Sequence, residues 1–300
     1  MKQNNTADII IIGGGIIGCS IAYNLANQGA KNVVVLEKGE LCSGGTAKSC
    51  AITRSHYSIE ANVHHAVESV KIFENFDDMV GGDPRFTCTG QLVLGQEKHR
   101  PVMESVFCTQ NKYGSETQTL TPAEAAKLHP LLQFEDVDVI GFESRSGYCD
   151  PYLTTIAYAK RAKDLGVKFF TGTPVTGIGI NGVNKTIETR RSDFECSTLI
   201  LAAGPWTHNL GKMLGIKFPY EISKHKVLTL KIDIPYEKDW PIVKDLLTPE
   251  KIYFRPDAGG VVLVGTGDQG DPVNNVEEMT NDVEMEHIER IGKLMANRMP

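Results

Sequence analysis

The chain's 300 residues, 41% of them hydrophobic, are enough for one large or two medium domains with real cores. Its 31 Lys and Arg against 37 Asp and Glu leave a net charge of −6, and with no basic run to offset it a nucleic-acid footprint is excluded. No stretch approaches about 18 consecutive apolar residues, which excludes a membrane-spanning helix.

The first strand, residues 9–12, is a run of four isoleucines. It begins within about eight residues of the start, leaving no room for a signal peptide. The seven cysteines are odd in number and lack a C-x-x-C pair, so they read as reduced thiols of a cytoplasmic protein. The isoleucines feed a Gly-x-Gly-x-x-Gly turn at Gly13, Gly15 and Gly18, then an apolar helical pattern, then a second β-branched run at 33–36 ending in Glu37. Each part suits a dinucleotide. Gly13 permits a tight turn, Gly15 lets the backbone approach a pyrophosphate, and Gly18 lets the helix pack closely on the sheet. The helix N-terminus aims its dipole and free N–H groups at the phosphates. About 20 residues after the last glycine, Glu37 can accept hydrogen bonds from a ribose.

A small-residue loop over 39–49 follows, then a helix over 59–76 with Val63, Val67, Val70 and Phe73 on one face. Residues 90–94 read as a strand and 98–113 as a charged helix. Thr121, Pro122 and Glu124 open another helix with a capping box. A strand at 137–142 precedes a helix over 151–165 closed by Gly166, a strand at 167–170 and a loop at 171–177. A second buried strand, 198–203, ends at Gly204. Residues 227–232, 252–254 and 261–264 read as antiparallel strands, and 282–299 as a last helix. The expected fold is α/β. A Rossmann-like parallel sheet is built from residues 1–84 and 147–219, and an antiparallel-sheet substrate domain from 85–146 and 220–300.

The loop after Glu37 and the segment Ala202-Ala203-Gly204-Pro205-Trp206 favour FAD over NAD, because both offer small residues along which a long cofactor can run. In these segments the sequence resembles the amine- and amino-acid-oxidising flavoproteins of the D-amino-acid-oxidase superfamily, among them the β subunits of sarcosine oxidase and archaeal dye-linked L-proline dehydrogenase. The resemblance runs from Asp8 to about Val264 and rests on residues 10–18, 37–38, 42–57, 147–151, 199–206 and 252–256. The 42–57 loop and the 147–151 element are the parts most particular to this group.

The resemblance implies FAD extended across the first domain, its flavin ring against an antiparallel substrate sheet, and oxidation of a C–N bond by hydride transfer. It implies cofactor contacts at Gly13, Gly14, Gly15, Ile16, Ile17, Gly18, Glu37, Lys38, Ser43, Gly45, Thr46, Lys48, Ser49, Val175, Ala203, Gly204 and Trp206. Arg54 matches the arginine that grips a substrate carboxylate. Tyr253 and Arg255, two apart on a strand, share a face and either point at the ligand or are ordinary strand residues. His56, Tyr57 and His225 are weaker candidates, and no residue is assigned to a metal.

Three departures from the family pattern shape the expected chemistry. Leu263 stands where oxidases of the sarcosine type carry an oxygen-activating lysine, which favours a dehydrogenase over a peroxide-forming oxidase. No histidine lies near Asp150 to carry a covalent flavin. Family members continue past residue 299 into a segment closing the nucleotide-binding sheet, so that C-terminal segment is expected to be missing here. The expected substrate is an amino acid or secondary amine of the sarcosine, proline or dimethylglycine type, with a partner subunit or electron acceptor completing the system. A peroxide-forming oxidase and a non-catalytic FAD-binding remnant are the alternatives.

Overall fold

A computed structural model describes residues 4–232 and 237–300, which separate into two compact units. The first holds residues 1–49, 76–85 and 150–221, the second 50–75, 86–149 and 222–300. The segment 50–75, expected with the nucleotide-binding part, therefore clusters with the second unit.

The first unit is built on a six-stranded sheet in the order Val175–Asn181, Asn184–Thr189, Asp193–Leu201, Asn4–Ile12, Val33–Leu36, Lys168–Phe170. Its last four strands are parallel, with Ile12 opposite Leu201 on one side and Leu36 on the other. Continuous Ile and Val runs suit strands covered on both faces, and Ile10, Ile11 and Val35 are fully buried. The helix Ile16–Asn27 turns Cys19, Ala22, Tyr23 and Ala26 inward and packs on the helix Pro151–Asp164, where the rings of Tyr23 and Tyr158 stand 5.6 Å apart. Asp150 caps that second helix by accepting the Leu153 N–H at 2.9 Å, with Pro151 at its first position.

Two features of this sheet depart from expectation. The predicted loop at 171–177 gives way to a strand from Val175, and an unpredicted strand at Asn184–Thr189 joins it antiparallel to Asp193–Leu201. Gly177 and Gly179 interrupt the apolar alternation that would have marked the first of these strands. The Asn181-Gly182 turn, with Gly182 at φ +61°, was the readable hairpin signal.

The second unit carries a seven-stranded sheet in the order Val227–Lys231, Val261–Gly265, Tyr253–Asp257, Ile242–Asp245, Gln91–Gly95, Val139–Glu143, Thr117–Leu120. It is mixed, not purely antiparallel, because Ile242–Asp245 runs parallel to Gln91–Gly95. Leu92, Val243, Phe254, Val262 and Val264 pack on Ile291 and Met295 of the helix Met285–Arg298. Val93 and Val139 face the other way, onto Met103 and Phe107 of the helix Arg100–Lys112. The capping box at Thr121 forms as expected, Glu124 N–H donating to Thr121 Oγ1 and Thr121 N–H to Glu124 Oε2. Ile52–Thr53 and Thr87–Cys88 flank Gly147–Tyr148 in a small third sheet. Among the described residues no helix is long and apolar enough to cross a membrane, and no group of three His, Cys, Asp or Glu is placed to hold a metal ion.

Candidate functional site

In the first unit the chain folds back on itself at the glycine turn. Gly13 has φ +117°, and a Cβ there would lie 2.4 Å from the Ala202 carbonyl oxygen. A Cβ on Gly18 would fall 1.9 Å from the Gly13 carbonyl oxygen. Both positions exclude a side chain, one by backbone conformation and one by helix-to-turn approach. Gly15 opens the helix without a side-chain cap, and the Ile16 N–H is answered by Thr46 Oγ1 at 3.2 Å. Ile17 is largely exposed.

Glu37 ties this turn to the loop behind it. Its Oε2 accepts the Gly14 N–H at 2.6 Å and its Oε1 the Gly39 N–H at 2.7 Å. Thr173 N–H donates to the Glu37 carbonyl at 2.8 Å and Gly172 N–H to that of Gly39 at 3.0 Å, which brings the approach to Val175 beside the acid. Ser43 N–H closes a turn onto Glu40, and Gly45–Lys48 forms a short 3₁₀ turn running into Ser49. Ala203 precedes a second such turn, Gly204–Trp206. Lys38 Nζ sits 4.0 Å above the Trp206 ring, whose Nε1 is buried without a hydrogen-bond partner. All the expected cofactor residues thus lie in the first unit.

Arg54, Tyr253 and Arg255 all lie in the second unit, joined by the segment beginning at Cys50. The Arg54 guanidinium donates to the His56 carbonyl and stacks 4.5 Å from the Tyr57 ring centroid. It forms no ion pair with a carboxylate among the described residues. Tyr253 and Arg255 share a face of the sheet as expected: Cys50 Sγ lies 3.7 Å from Tyr253 Oη, and Arg255 Nε donates to the Cys50 carbonyl at 2.7 Å. Burial pushes the Tyr253 phenol well above its ordinary value, so it stays protonated. Arg255 is 4% exposed. It donates further to Pro256 O and Asp257 Oδ1 and stacks on Tyr148. Its Nε and Nη1 are already engaged by this unit. His225 is exposed beside Ser223 and does not join the group.

A family model for FAD dependent oxidoreductases, designated DAO, matches residues 8–300. The chain belongs to this family. Sarcosine oxidase subunit beta of Arthrobacter sp is 30% identical over 89% of this chain and 67% of its own length. The mitochondrial pyruvate dehydrogenase phosphatase regulatory subunit of Mus musculus is 28% identical over 98% of this chain and 34% of its own length. The solved L-proline dehydrogenase of P. horikoshii superposes with a TM-score of 0.89 at 26% identity, over 99% of this chain and 78% of that one. The chain spans about a third of the length of the mitochondrial relatives it matches.

The first unit fits the FAD that the family requires. A Cβ on Gly13, Gly14, Gly15 or Gly18 would meet atoms of the chain itself at 2.9 Å or less, so the turn stays bare of side chains where a helix N-terminus faces phosphate. The Glu37 carboxylate has spent two of roughly four acceptor positions, and an indole N–H waits without a partner beside the loop.

Two groups went unnoticed in the sequence. Glu143, 1% exposed, accepts from the Ser55 N–H and hydroxyl at 3.1 Å and from Ser146 Oγ at 2.9 Å. His56 Nδ1 stands 3.1 Å from its other oxygen, though outside hydrogen-bond alignment. Burial works against the charge, but His56 and the neutral donors outweigh it and hold the carboxyl below its ordinary value. Lys244, half-buried beside Tyr253, donates to the Lys251 carbonyl at 2.6 Å. Burial first, then the charges of Arg54 and Lys251, push its ammonium down to about 8. Neither residue sits in a local motif. The partners of Glu143 are up to 88 residues away, and Lys244 meets Tyr253 only through strand register.

Proposed function

We propose that this chain is the FAD-bearing part of an amine or amino-acid dehydrogenase, oxidising the C–N bond of a substrate of the sarcosine, dimethylglycine or proline type. The observation that carries the reading is Arg54, a cation without a carboxylate partner among the described residues, on the segment that also meets Tyr253 and Arg255. When bound, FAD supplies the two-electron acceptor that takes a hydride from the carbon beside the amine nitrogen, leaving an imine that water hydrolyses. In the first unit, the turn from Gly13 to Gly18, with Gly14, Ile16 and Ile17, would hold the pyrophosphate at the helix N-terminus. Glu37 would take the ribose and the backbone at Val175 the adenine. Lys38, Ser43, Gly45, Thr46, Lys48 and Ser49, with Ala203, Gly204 and Trp206, would line the rest of the cofactor's course.

In the second unit, the Arg54 fork would grip the substrate carboxylate with two parallel hydrogen bonds and so orient the reacting carbon. Glu143 braces that arginine's segment through Ser55 and His56. Leu263 is opposite Arg255 in the ladder, and an apolar side chain there gives no electrostatic help to a developing superoxide. That supports a dehydrogenase delivering electrons to a partner subunit or another acceptor.

The test is direct. Flavin-loaded protein, reduced anaerobically by N-methylglycine or proline, should pass electrons quickly to an artificial acceptor and reoxidise slowly in oxygen, with Leu263→Lys faster. Fast reoxidation of the unaltered protein would make it an oxidase. A second reading, a regulatory FAD-binding part without catalysis, is favoured by the name of the mouse relative. Flavin that binds but is reduced by no amine or amino acid would support it.

A further inference from the structure

Oxidising a C–N bond by hydride loss needs the lone pair of the nitrogen, which becomes the second bond of the imine. In water near neutral pH that pair is held by a proton, because such amines are cations there. A base must take the proton before the hydride can leave. The amine nitrogen of an amino acid lies one carbon from the carboxylate, so the base belongs close to the carboxylate anchor. The Arg54 guanidinium donates to the His56 carbonyl, which puts a carboxylate gripped by that fork beside the His56 residue. Other groups joined at this end serve poorly. Arg54 and Arg255 are guanidiniums without an acceptor, burial keeps the Tyr253 phenol protonated, and Glu143 is 1% exposed.

His56 is held in the form a base needs. Its Nδ1 is buried 3.1 Å from Glu143 Oε1, and neither atom has a hydrogen-bond partner elsewhere among the described residues. Glu143 Oε2 already accepts from the Ser55 N–H, the Ser55 hydroxyl and the Ser146 hydroxyl. Despite burial the carboxyl stays below its ordinary value, so Oε1 carries negative charge. A bare Nδ1 at that distance would set two lone pairs against each other. The proton of the neutral ring therefore sits on Nδ1, which a small turn of the ring aligns on Oε1, and Nε2 is left as the acceptor. The side chain keeps 18% of its surface open although Nδ1 is buried, and Nε2 has no partner among the described residues. The basic nitrogen is thus the one a ligand can reach. Of the elements packed on the ring, the strand Val139–Glu143 brings the Glu143 charge and the helix Arg100–Lys112 the neutral Phe107 ring at 6.1 Å, with Arg54 on the ring's own segment.

We propose that His56, oriented by Glu143, is the base that takes the ammonium proton of the bound substrate on Nε2. This rests on the reading of Arg54 as a carboxylate anchor. The substrate N–H bond breaks and its proton joins Nε2, giving an imidazolium whose Nδ1–H faces the Glu143 carboxylate, which stabilises the charge. The pair left on nitrogen forms the C=N bond as the hydride leaves carbon for the acceptor that FAD supplies. The imidazolium then gives its proton to water at the open edge of the ring.

The test mixes flavin-loaded protein anaerobically with dimethylglycine and follows bleaching of the flavin by stopped flow from neutral to alkaline pH. His56→Asn keeps an N–H for Glu143 where Nδ1 stood and removes Nε2. Its flavin should be reduced more slowly by about a hundredfold or more near neutral pH, the gap closing toward the alkaline end, where the substrate arrives as the free amine. Trimethylglycine has the carboxylate but no N–H to give. Titrated against the flavin spectrum, it should bind both proteins alike, which reads fold, flavin and anchor apart from the base. A His56→Asn protein reduced as fast as the unaltered one, or slower by one factor at every pH, overturns the proposal. So does a pH-dependent loss of this kind in Lys244→Met in place of His56→Asn. Arg54→Met should weaken trimethylglycine. If it does not, the anchor reading fails, and the pH dependence of His56→Asn still judges the base. A flavin that no amine reduces in the unaltered protein overturns the base and the dehydrogenase reading together.

Discussion

Glu37 is asked to do two things with one carboxylate. It already closes the glycine turn and the following loop through the Gly14 and Gly39 N–H groups, and in the proposed complex it takes a ribose as well. Glu37→Ala should therefore weaken FAD binding by about 1.5–3 kcal/mol, the range for hydrogen bonds to a charged group, and also lower the melting temperature of the flavin-free protein. Titration of the flavin-free variant with FAD measures the first effect and a thermal scan the second. A variant that binds FAD normally would remove Glu37 from the cofactor site. At this scale the cradle was legible because it is local, strand, turn, helix and acid following one another along the chain. Arg255 was half legible. Its spacing from Tyr253 gave the face, but spacing cannot tell that Cys50, Pro256 and Asp257 engage its donors.

The element most consequential for the proposed substrate end is the stretch from Cys50 to Tyr57. Sequence order alone assigned it to the nucleotide-binding part, since it follows the FAD-type loop without a break. Its pairing decides otherwise: Ile52 and Thr53 ladder with Tyr148 and Gly147, and Ser55 and His56 turn to Glu143. Removing that buried carboxylate strands the Ser55 and Ser146 donors. Glu143→Ala should cost on the order of 3 kcal/mol of unfolding free energy, with a loss of carboxylate-ligand affinity through the displaced Arg54. The pH dependence follows from the lowered carboxyl. Such a group stabilises the fold above its unfolded-state value and loses that contribution as pH falls through the folded-state one. Urea unfolding of the parent and the isosteric Glu143→Gln should therefore differ most near neutrality and converge in acid. An equal gap at all pH values would mean that shape, not charge, holds the segment.

Across the whole chain, the features that could be read were those written in contiguous residues, and, apart from the local hairpin of Val175–Asn181 and Asn184–Thr189, the missed ones were long-range pairings. The Ile and Val runs announced the parallel sheet, whereas Ile242–Asp245 is too short and too mixed to announce itself and pairs in parallel with a strand about 150 residues earlier. The same long-range assembly sets the chain's response to acid. His129 closes the helix Pro122–Leu128, is 0% exposed, and packs 4.8 Å from Trp240 and edge-on to Phe254. Burial pushes its imidazole down from 6.5 to about 4. Between those values the unfolded chain binds a proton that the folded one refuses, so stability is fully present above the unfolded value and drains away as pH falls toward 4. The shift sets a ceiling of about 3 kcal/mol on the loss. His129→Gln cannot take up that proton, so its unfolding midpoint in urea should fall less between neutral and mildly acidic buffer than the parent's. Parallel declines in the two proteins would place the acid sensitivity elsewhere. The Arg298 pair is the next place to look, where the guanidinium holds the Asp136 carboxyl below its ordinary value.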